Sequence, residues 1–428
     1  MPTLDQPSGG TSGTRTSERL LGGPSRVLGA DIARGIAVLG MFTAHVGVAS
    51  ADPGTLEGWL GLAHGRSSIL FATVAGLSLA LVTGGAAPVA GEALRTARAR
   101  LLVRAALLLA LVALLDLFGT RVLLILGFYA AYFVLALPFL RVPPARLAAS
   151  AVIVATVGPV LVYYGPEALV RADLRAPHDG SGAATDFLLT GHYPALVWMA
   201  YVLAGMAVGR CDLRSRALHV GLVAGGFGLA ALSSVASATL VADAGGRLAI
   251  EDQIATSSAD GAVTTPPTWS DPWPTPAGLY LEGPHDDTMF EAFGSGGFAL
   301  GVLGLCLLAG TIMTGAGSGA RAGWVRRLGR WSVLPVVAPL AAVGALALTV
   351  YSAQIIAIWW WTRTYWDLLD PDTNEPLGWT VLITLAAATL WRAVLGRGPL
   401  ERLFATVTRR AFPDGATRLG TAPGRRPS

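Results

Sequence analysis

Two histidines in apolar surroundings are the side chains best suited to acid–base chemistry. His45 lies near the end of the apolar segment that begins at Gly29, and His64 opens the next one. An imidazole exchanges protons near neutral pH, so either ring could take the proton of an acceptor hydroxyl or amine. Arg66 follows closely and could stabilise negative charge developing on an oxygen during such a transfer. The alternative for both histidines is a hydrogen bond between helices that serves packing alone.

A charged pair lies earlier in the first apolar segment. Asp31 and Arg34 are three residues apart, so they share a helix face and can pair. Ionisable groups within a membrane are costly and often mark functional sites. We expect Arg34 to meet an anionic ligand that enters from the cytoplasm, with a boundary ion pair as the alternative. Gln354 needs a partner in lipid, so it is expected to face the interior, where it lines a ligand path or joins helices.

A third group of polar residues precedes later apolar segments. His285 and Asp286 suit a ligand rich in hydroxyl groups, and the alternative is a solvated loop. His192 and Tyr193 stand at the start of another segment, where the alternative is an interfacial aromatic belt. A metal site built from His178, His192 and His285 has no supporting spacing, so no metal is expected.

The composition is that of a polytopic membrane protein. Of 428 residues, 53% are hydrophobic and only 14% are charged, and the mean hydropathy is +0.56. Charged residues are too few to cover a water-facing globule of this length. A soluble enzyme, a disulfide scaffold and a disordered regulator are therefore excluded. The two cysteines provide neither a disulfide framework nor zinc-ligand spacing.

We predict an all-α bundle of about ten transmembrane helices, since each span needs about 20 mostly apolar residues. The spans are expected near residues 29–50, 62–84, 99–118, 122–140, 146–164, 193–209, 217–242, 294–314, 333–358 and 377–395.

The arginines indicate how this bundle is oriented. All 31 basic residues are arginine, and most of them fall in segments that alternate with acidic loops. Because cytoplasmic loops collect arginine, both termini are predicted to be cytoplasmic. We expect disordered tails at 1–25 and 411–428 around one membrane domain at 26–410. The basic surplus is then a topology signal with affinity for the lipid bilayer, and no nucleic-acid partner is expected.

Several short motifs follow one another in a fixed order along the membrane domain. The first helix carries Asp31-x-x-Arg34-Gly35 and Leu39-Gly40-Met41, and the second carries His64-Gly65-Arg66-Ser67-Ser68. Later motifs are Gly191-His192-Tyr193-Pro194, Leu203-Ala204-Gly205, Gly209-Arg210, Pro284-His285, Gly296-Gly297-Phe298-Ala299-Leu300, Ala347-Leu348-Thr349-Val350-Tyr351 and Gly398-Pro399-Leu400-Glu401. In this order they resemble the heparan-α-glucosaminide N-acetyltransferase-like proteins, a family of transmembrane acyltransferases.

The resemblance implies a cytoplasmic acetyl-CoA donor and an acetyl group delivered to a sugar or glycolipid acceptor at the outer face of the cell membrane. In the lysosomal members, the position of His45 is asparagine and the catalytic histidine falls near Leu56. The catalytic residues are expected to be His45, His64 and Arg66, the acyl-CoA contacts Asp31, Arg34 and Gln354, and the acceptor contacts His192, Tyr193, His285 and Asp286.

The rival interpretation is a transporter or flippase for an anionic solute or glycolipid, with the histidines as a proton relay. One internal similarity bears on it. Thr73-Val-Ala-Gly-Leu-Ser-Leu resembles Val202-Leu-Ala-Gly-Met-Ala-Val. This fits an internal repeat of a transporter, and it equally fits two stripes of small residues that pack together. Both a monomer and a homodimer are compatible with either function.

Overall fold

The computed structural model describes residues 26–413, apart from positions 51, 53, 121, 175–181, 258–266, 315–322 and 365–372. All regular secondary structure in these described residues is helical, which confirms the all-α prediction. The predicted tail at 1–25, the predicted tail at 411–428 beyond its first three residues, and His178 lie outside the described residues.

The chain is a succession of helices joined by turns and a few longer segments. The α-helices are α1 Leu28–Val46, α2 Leu56–Gly61, α3 Arg66–Val82, α4 Gly91–Asp116, α5 Leu126–Leu135, α6 Pro144–Arg171, α7 Gly182–Thr185, α8 Ala195–Gly209, α9 Arg216–Asp243, α10 Arg247–Ser257, α11 Met289–Thr314, α12 Gly323–Ala345, α13 Ala347–Thr364, α14 Glu375–Val394 and α15 Pro399–Ala411. Shorter turns are a π turn at Asp186–Thr190 and 3-10 turns at Leu137–Arg141 and Pro276–Tyr280.

Five helical stretches of the described chain are long and apolar enough to cross a membrane. They are Leu56–Val82, Pro144–Arg171, Arg216–Asp243, Met289–Met313 and Glu375–Val394. A bent pair, Leu334–Ala345 with Ala347–Thr364, counts as a sixth if it is one span. The chain is therefore a multi-pass membrane protein. The structure supports five or six of the ten predicted spans by length and composition, and the segments at 122–140 and 193–209 form the shorter helices α5 and α8.

The centre of the bundle is formed by α1, α3, α8 and α11. Helix α1 packs against α3, α11 and α12, while α8 packs against α3 and α6. Nearly every residue of α8 is buried, as is most of α1. These two helices lie inside the bundle and bring their polar residues with them, so Asp31 is only 5% exposed.

Helices α3 and α8 approach so closely that their backbones touch. A Cβ atom on Gly76 would lie 2.0 Å from the carbonyl oxygen of Val202, and one on Gly205 would lie 1.8 Å from that of Thr73. Small residues permit such an approach between membrane helices. The similar segments around Gly76 and Gly205 thus pack against each other through their small residues. This agrees with the packing interpretation of their similarity given above.

The predicted ninth span is two helices with a bend of 81° between them. Arg34 donates to the carbonyl oxygen of Gly344, near the end of α12, at 3.2 Å. Glu401 accepts hydrogen bonds from the backbone N–H groups of Leu348 (2.9 Å) and Thr349 (3.1 Å), at the start of α13. A carboxylate at a helix N-terminus accepts hydrogen bonds from free N–H groups, and its negative charge interacts favourably with the positive end of the helix dipole. Both free helix ends at the bend are therefore satisfied by side chains from distant segments.

Arg210 joins three other parts of the chain at the end of α8. It is 4% exposed and donates to the carbonyl oxygens of Ala80 at 2.9 Å and Gly85 at 2.7 Å. It also donates to the hydroxyl of Thr83 at 2.8 Å and to the carbonyl oxygen of Leu140. These hydrogen bonds from the two terminal nitrogens of a buried guanidinium fix the turn after α3 to α8.

Candidate active site

A cavity of about 380 Å³ lies at the end of the bundle where α1 finishes. Three of the six histidines line it, namely His45, His192 and His285. Tyr193 and Tyr351 are among its other polar lining residues. The structure thus brings together residues from four separate parts of the sequence around one space of ligand size.

His45 is held by a residue 309 positions away. The amide Nε2 of Gln354 donates to Nδ1 of His45 at 3.2 Å. Gln354 is 5% exposed, and its buried Oε1 has no hydrogen-bond partner among the described residues. The prediction that Gln354 faces the interior is confirmed. Its partner is the imidazole of α1, which lines the cavity.

His64 and Arg66 lie beside this cavity but do not line it. The Nε2 atom of His64 lies 3.3 Å from the carbonyl oxygen of Thr43 in α1. The guanidinium of Arg66 is directed at the ring of Phe298, 5.4 Å from its centroid, and its Nε is buried without a partner in the described structure. Gly65, between them, does line the cavity.

The loop before α11 places His285 between the cavity and the protein interior. Its backbone is left-handed at His285 (φ 65°) and at Asp287 (φ 50°). Glu291 holds this unusual loop, since its carboxylate accepts from the backbone N–H groups of His285 (2.9 Å) and Asp287 (2.8 Å). Trp198 donates its indole N–H to Oδ1 of Asp287 at 3.2 Å. The strained loop is over-determined by these contacts, as is common at functional sites.

His285 belongs to an aromatic cluster that includes the other acceptor residues predicted from the sequence. Its ring centroid lies 5.2 Å from that of His192 and 5.3 Å from that of Tyr193, and Trp198 stacks on it at 6.2 Å. Burial lowers the pKa of His285, and the neighbouring His192 lowers it further. Both effects favour the neutral imidazole, which can donate and accept hydrogen bonds.

A second cavity, of about 450 Å³, lies on the other side of this histidine pair. His192 and His285 line both cavities. The second one adds the carboxylates of Glu167, Asp286 and Asp287. All four predicted acceptor residues thus stand at or between the two cavities.

The carboxylate of Asp287 provides a pH-dependent test of this loop. Burial raises its pKa to about 7, while the hydrogen bond from Trp198 opposes the rise and the charge of Asp286 adds to it. Because the folded-state pKa exceeds the unfolded value of 3.8, the protonated form stabilises the fold at low pH, and this contribution is lost as the pH rises through 7.

We expect Asp287→Asn to remove this dependence, because asparagine still accepts from Trp198 and does not ionise. The thermal unfolding midpoint of the variant minus that of the wild type should increase between about pH 5 and about pH 8. The same difference between the two proteins at both pH values would contradict the pKa shift.

The opposite end of α1 carries the predicted ion pair. Asp31 accepts from Arg34 at 3.1 Å and from Arg26. Arg34 also donates to the hydroxyl of Ser78 at 2.6 Å. The pairing of Asp31 with Arg34 is confirmed. The 11 residues from Arg34 to His45 correspond to about 16 Å of helix, so the pair is far from the histidine cavity.

The described residues contain no group of three or more His, Cys, Asp or Glu side chains that could hold a metal ion. The first two cavities are lined by imidazole, phenol, hydroxyl and carboxylate groups. These groups hold and transfer protons and bind hydroxyl-rich ligands.

The match to a known family comes from the sequence. The family model described as "Heparan-alpha-glucosaminide N-acetyltransferase, catalytic" matches residues 26–240, just over half of the chain. The chain belongs to this family. The match confirms the resemblance carried by the ordered motifs, and it makes the protein a member of a family of membrane-bound acetyltransferases that use acetyl-CoA. No curated protein and no solved structure matches the chain.

The acetyltransferase match contains some of the cavity residues and leaves others outside. His45 and His192 lie within it, whereas His285 and Gln354 lie beyond its end. The first cavity is therefore completed by the C-terminal half of the chain, which contributes both the partner of His45 and the neighbour of His192.

The sequence did not reveal the structural roles of Glu291 and Glu401. Glu291 is an acidic residue near the start of the apolar helix α11, and the rule that identified Asp31 applies to it equally. Glu401 was identified only as part of a family motif. Its function as the N-terminal cap of α13 depends on a contact across more than 50 positions, which no local signal reveals.

Proposed function

We propose that this protein is an integral membrane acyltransferase of the cell membrane. It moves an acetyl or short acyl group from cytoplasmic acyl-CoA to a sugar or glycolipid acceptor at the outer face, with both termini cytoplasmic. The family match supports the reaction class. The observation that carries the site assignment is the pairing of His45 with Gln354 at the wall of the first cavity.

In this mechanism, His45 acts as the general base. The two ends of the Gln354 amide exchange by a half turn, so its Oε1 can accept a hydrogen bond from the Nδ1–H of His45. That arrangement leaves Nε2 of the imidazole free to take the proton of the acceptor hydroxyl or amine. The acceptor atom then bonds to the thioester carbonyl carbon, the C–S bond breaks, and the proton passes to the departing sulfur of CoA.

The other predicted residues have supporting roles. Arg66 stabilises the oxyanion when its guanidinium turns from Phe298 toward the thioester, and His64 is the alternative base. Asp31 and Arg34 hold the donor near its cytoplasmic entrance.

The acceptor binds on the opposite side of the site. It contacts His192, Tyr193, His285 and Asp286, beside the carboxylate-lined second cavity. Imidazole, phenol and carboxylate groups together suit the hydroxyls of a sugar.

Binding of acetyl-CoA tests this proposal. The detergent-purified full chain should show a saturable rise in its thermal unfolding midpoint with acetyl-CoA, because a ligand that binds only the folded state stabilises it. CoA should compete for the same shift. If the folded protein shows no shift at any acetyl-CoA concentration, the acyltransferase assignment is wrong.

A transporter is the second candidate function, and one observation favours it. The break between α12 and α13 resembles the discontinuous helices that form substrate sites in many transporters. A transporter predicts movement of an anionic solute across proteoliposome membranes without acetyl-CoA. Acetyl-CoA-dependent labelling of an acceptor, without such movement, would exclude it.

A further inference from the structure

A third cavity, of about 750 Å³, lies between α4 and α15 and is not part of the site described above. The buried side chains of Leu101 and Phe404 form its apolar floor. The guanidinium groups of Arg100, Arg104 and Arg409 also line it. It therefore combines apolar side chains with several cations, which suits a ligand that has both a ring and negatively charged groups.

Three arginines and two glutamates line this cavity, so the formal charge of its lining is net positive. The carboxylate of Glu401 already accepts from the N-terminal N–H groups of α13 and from the hydroxyl of Thr349 at 2.5 Å. Glu92 is exposed in the first turn of α4, where its negative charge interacts favourably with the positive end of that helix's dipole. The arginines of the cavity therefore carry more positive charge than its own carboxylates balance.

Arg104 is the arginine best placed to bind a ligand. Arg100 donates to the backbone carbonyl of Phe412 at 2.6 Å and 3.0 Å. Arg104 forms no hydrogen bond or salt bridge with any residue that the structure describes. It lies near enough to Arg34 and Glu401 for their charges to interact, so the cavity adjoins the polar cluster at the start of α1.

We propose that this cavity binds the phosphate groups of the acyl-CoA donor, with Arg104 and Arg409 as their ligands. The inference rests on the proposed function, because that function requires a donor at this end of α1. Guanidinium groups bind phosphate oxygens in bidentate fashion, and the apolar floor accommodates a nucleobase. Phosphate on a lipid headgroup has the same chemistry, so the experiment includes both sources.

The test compares matched arginine variants of the full-length protein. Arg104→Gln and Arg409→Gln each remove one proposed phosphate ligand, and Arg410→Gln removes the adjacent exposed arginine of α15, which does not line the cavity. The probes are CoA, CoA lacking its 3′-phosphate, and nanodiscs containing phosphatidylglycerol. The readout is the concentration of CoA that gives half of the maximal thermal shift.

We expect Arg104→Gln and Arg409→Gln each to raise this concentration about tenfold or more, and Arg410→Gln to leave it unchanged. Removal of the 3′-phosphate should weaken binding to the wild type. The unliganded unfolding midpoints show whether each variant is folded. If Arg104→Gln fails to fold, Arg409→Gln, whose side chain is exposed, still tests the site.

The outcomes separate this inference from the proposed function. CoA binding with the same affinity in both cavity variants would overturn the phosphate site while leaving acyl-CoA binding intact. An absence of CoA binding to folded wild type would overturn the proposed function and the CoA site together. In that case, arginine-dependent retention of phosphatidylglycerol would assign the cavity to lipid phosphate, and arginine-independent retention would end the inference.

Discussion

Replacing His45 with alanine is expected to lower the rate of acetyl transfer by about 10²–10⁴-fold, the contribution typical of a general base. The reason is local. His45 lines the cavity and is held in place by Gln354, so its loss removes the proton acceptor without removing a structural contact of the backbone. The measurement is the initial rate of transfer of labelled acetyl from acetyl-CoA by the purified variant.

His64→Ala is the matched control for this prediction. His64 is also an imidazole near the cavity, but it contacts the backbone at Thr43 and does not line that space. We expect a much smaller loss of rate from this substitution. A greater loss in His64→Ala than in His45→Ala, with both variants folded, would assign the base to His64.

Replacing Gly205 with valine is expected to cause the largest loss of stability. A Cβ at this position would lie 1.8 Å from the carbonyl oxygen of Thr73, and a rigid helix backbone cannot yield as a flexible side chain would. Overpacking of a core commonly costs about 1–3 kcal/mol, and a backbone clash should reach or exceed the upper end of that range. The measurement is the thermal unfolding midpoint together with the yield of monodisperse protein.

Gly225→Val on α9 is the control for this prediction. Gly225 is exposed, and an added Cβ there would meet no atom within 4 Å. The control should retain the yield and unfolding midpoint of the wild type. Equal losses of yield and unfolding midpoint in both variants would contradict this prediction. They would show that valine destabilises these helices whether or not it lies at the α3–α8 contact.

Much of the fold follows from the apolar segments because each helix must satisfy its own backbone in lipid. The first predicted span, 29–50, corresponds to α1, and the span 217–242 corresponds to α9. The ninth span shows where this reasoning fails. Apolar residues run through the break at Leu346, so hydropathy predicts one helix there. The break depends on caps from Arg34 and Glu401, which are remote in sequence.

The sequence predicts which residue types could form the candidate site. It does not predict which of these residues contact each other. An imidazole or amide inside an apolar run is visible in the sequence, which is why His45 and Gln354 could be identified separately. Their contact crosses 309 positions and depends on the direction of each side chain from its helix. For the same reason, Arg66 was predicted beside the thioester, whereas the structure places its guanidinium toward Phe298.

The most direct test of the account is the transfer reaction in proteoliposomes that contain the wild-type protein. Acetyl-labelled acetyl-CoA is supplied on the side of the termini, and saccharide and glycolipid fractions of the cell envelope are supplied on the other side. We predict that label appears in an acceptor on the far side, that CoA is released in equal amount, and that His45→Ala lowers the rates of both by about 10²–10⁴-fold. Acetyl-CoA binding without any labelled acceptor or released CoA, in folded protein, would contradict the assignment as an acyltransferase.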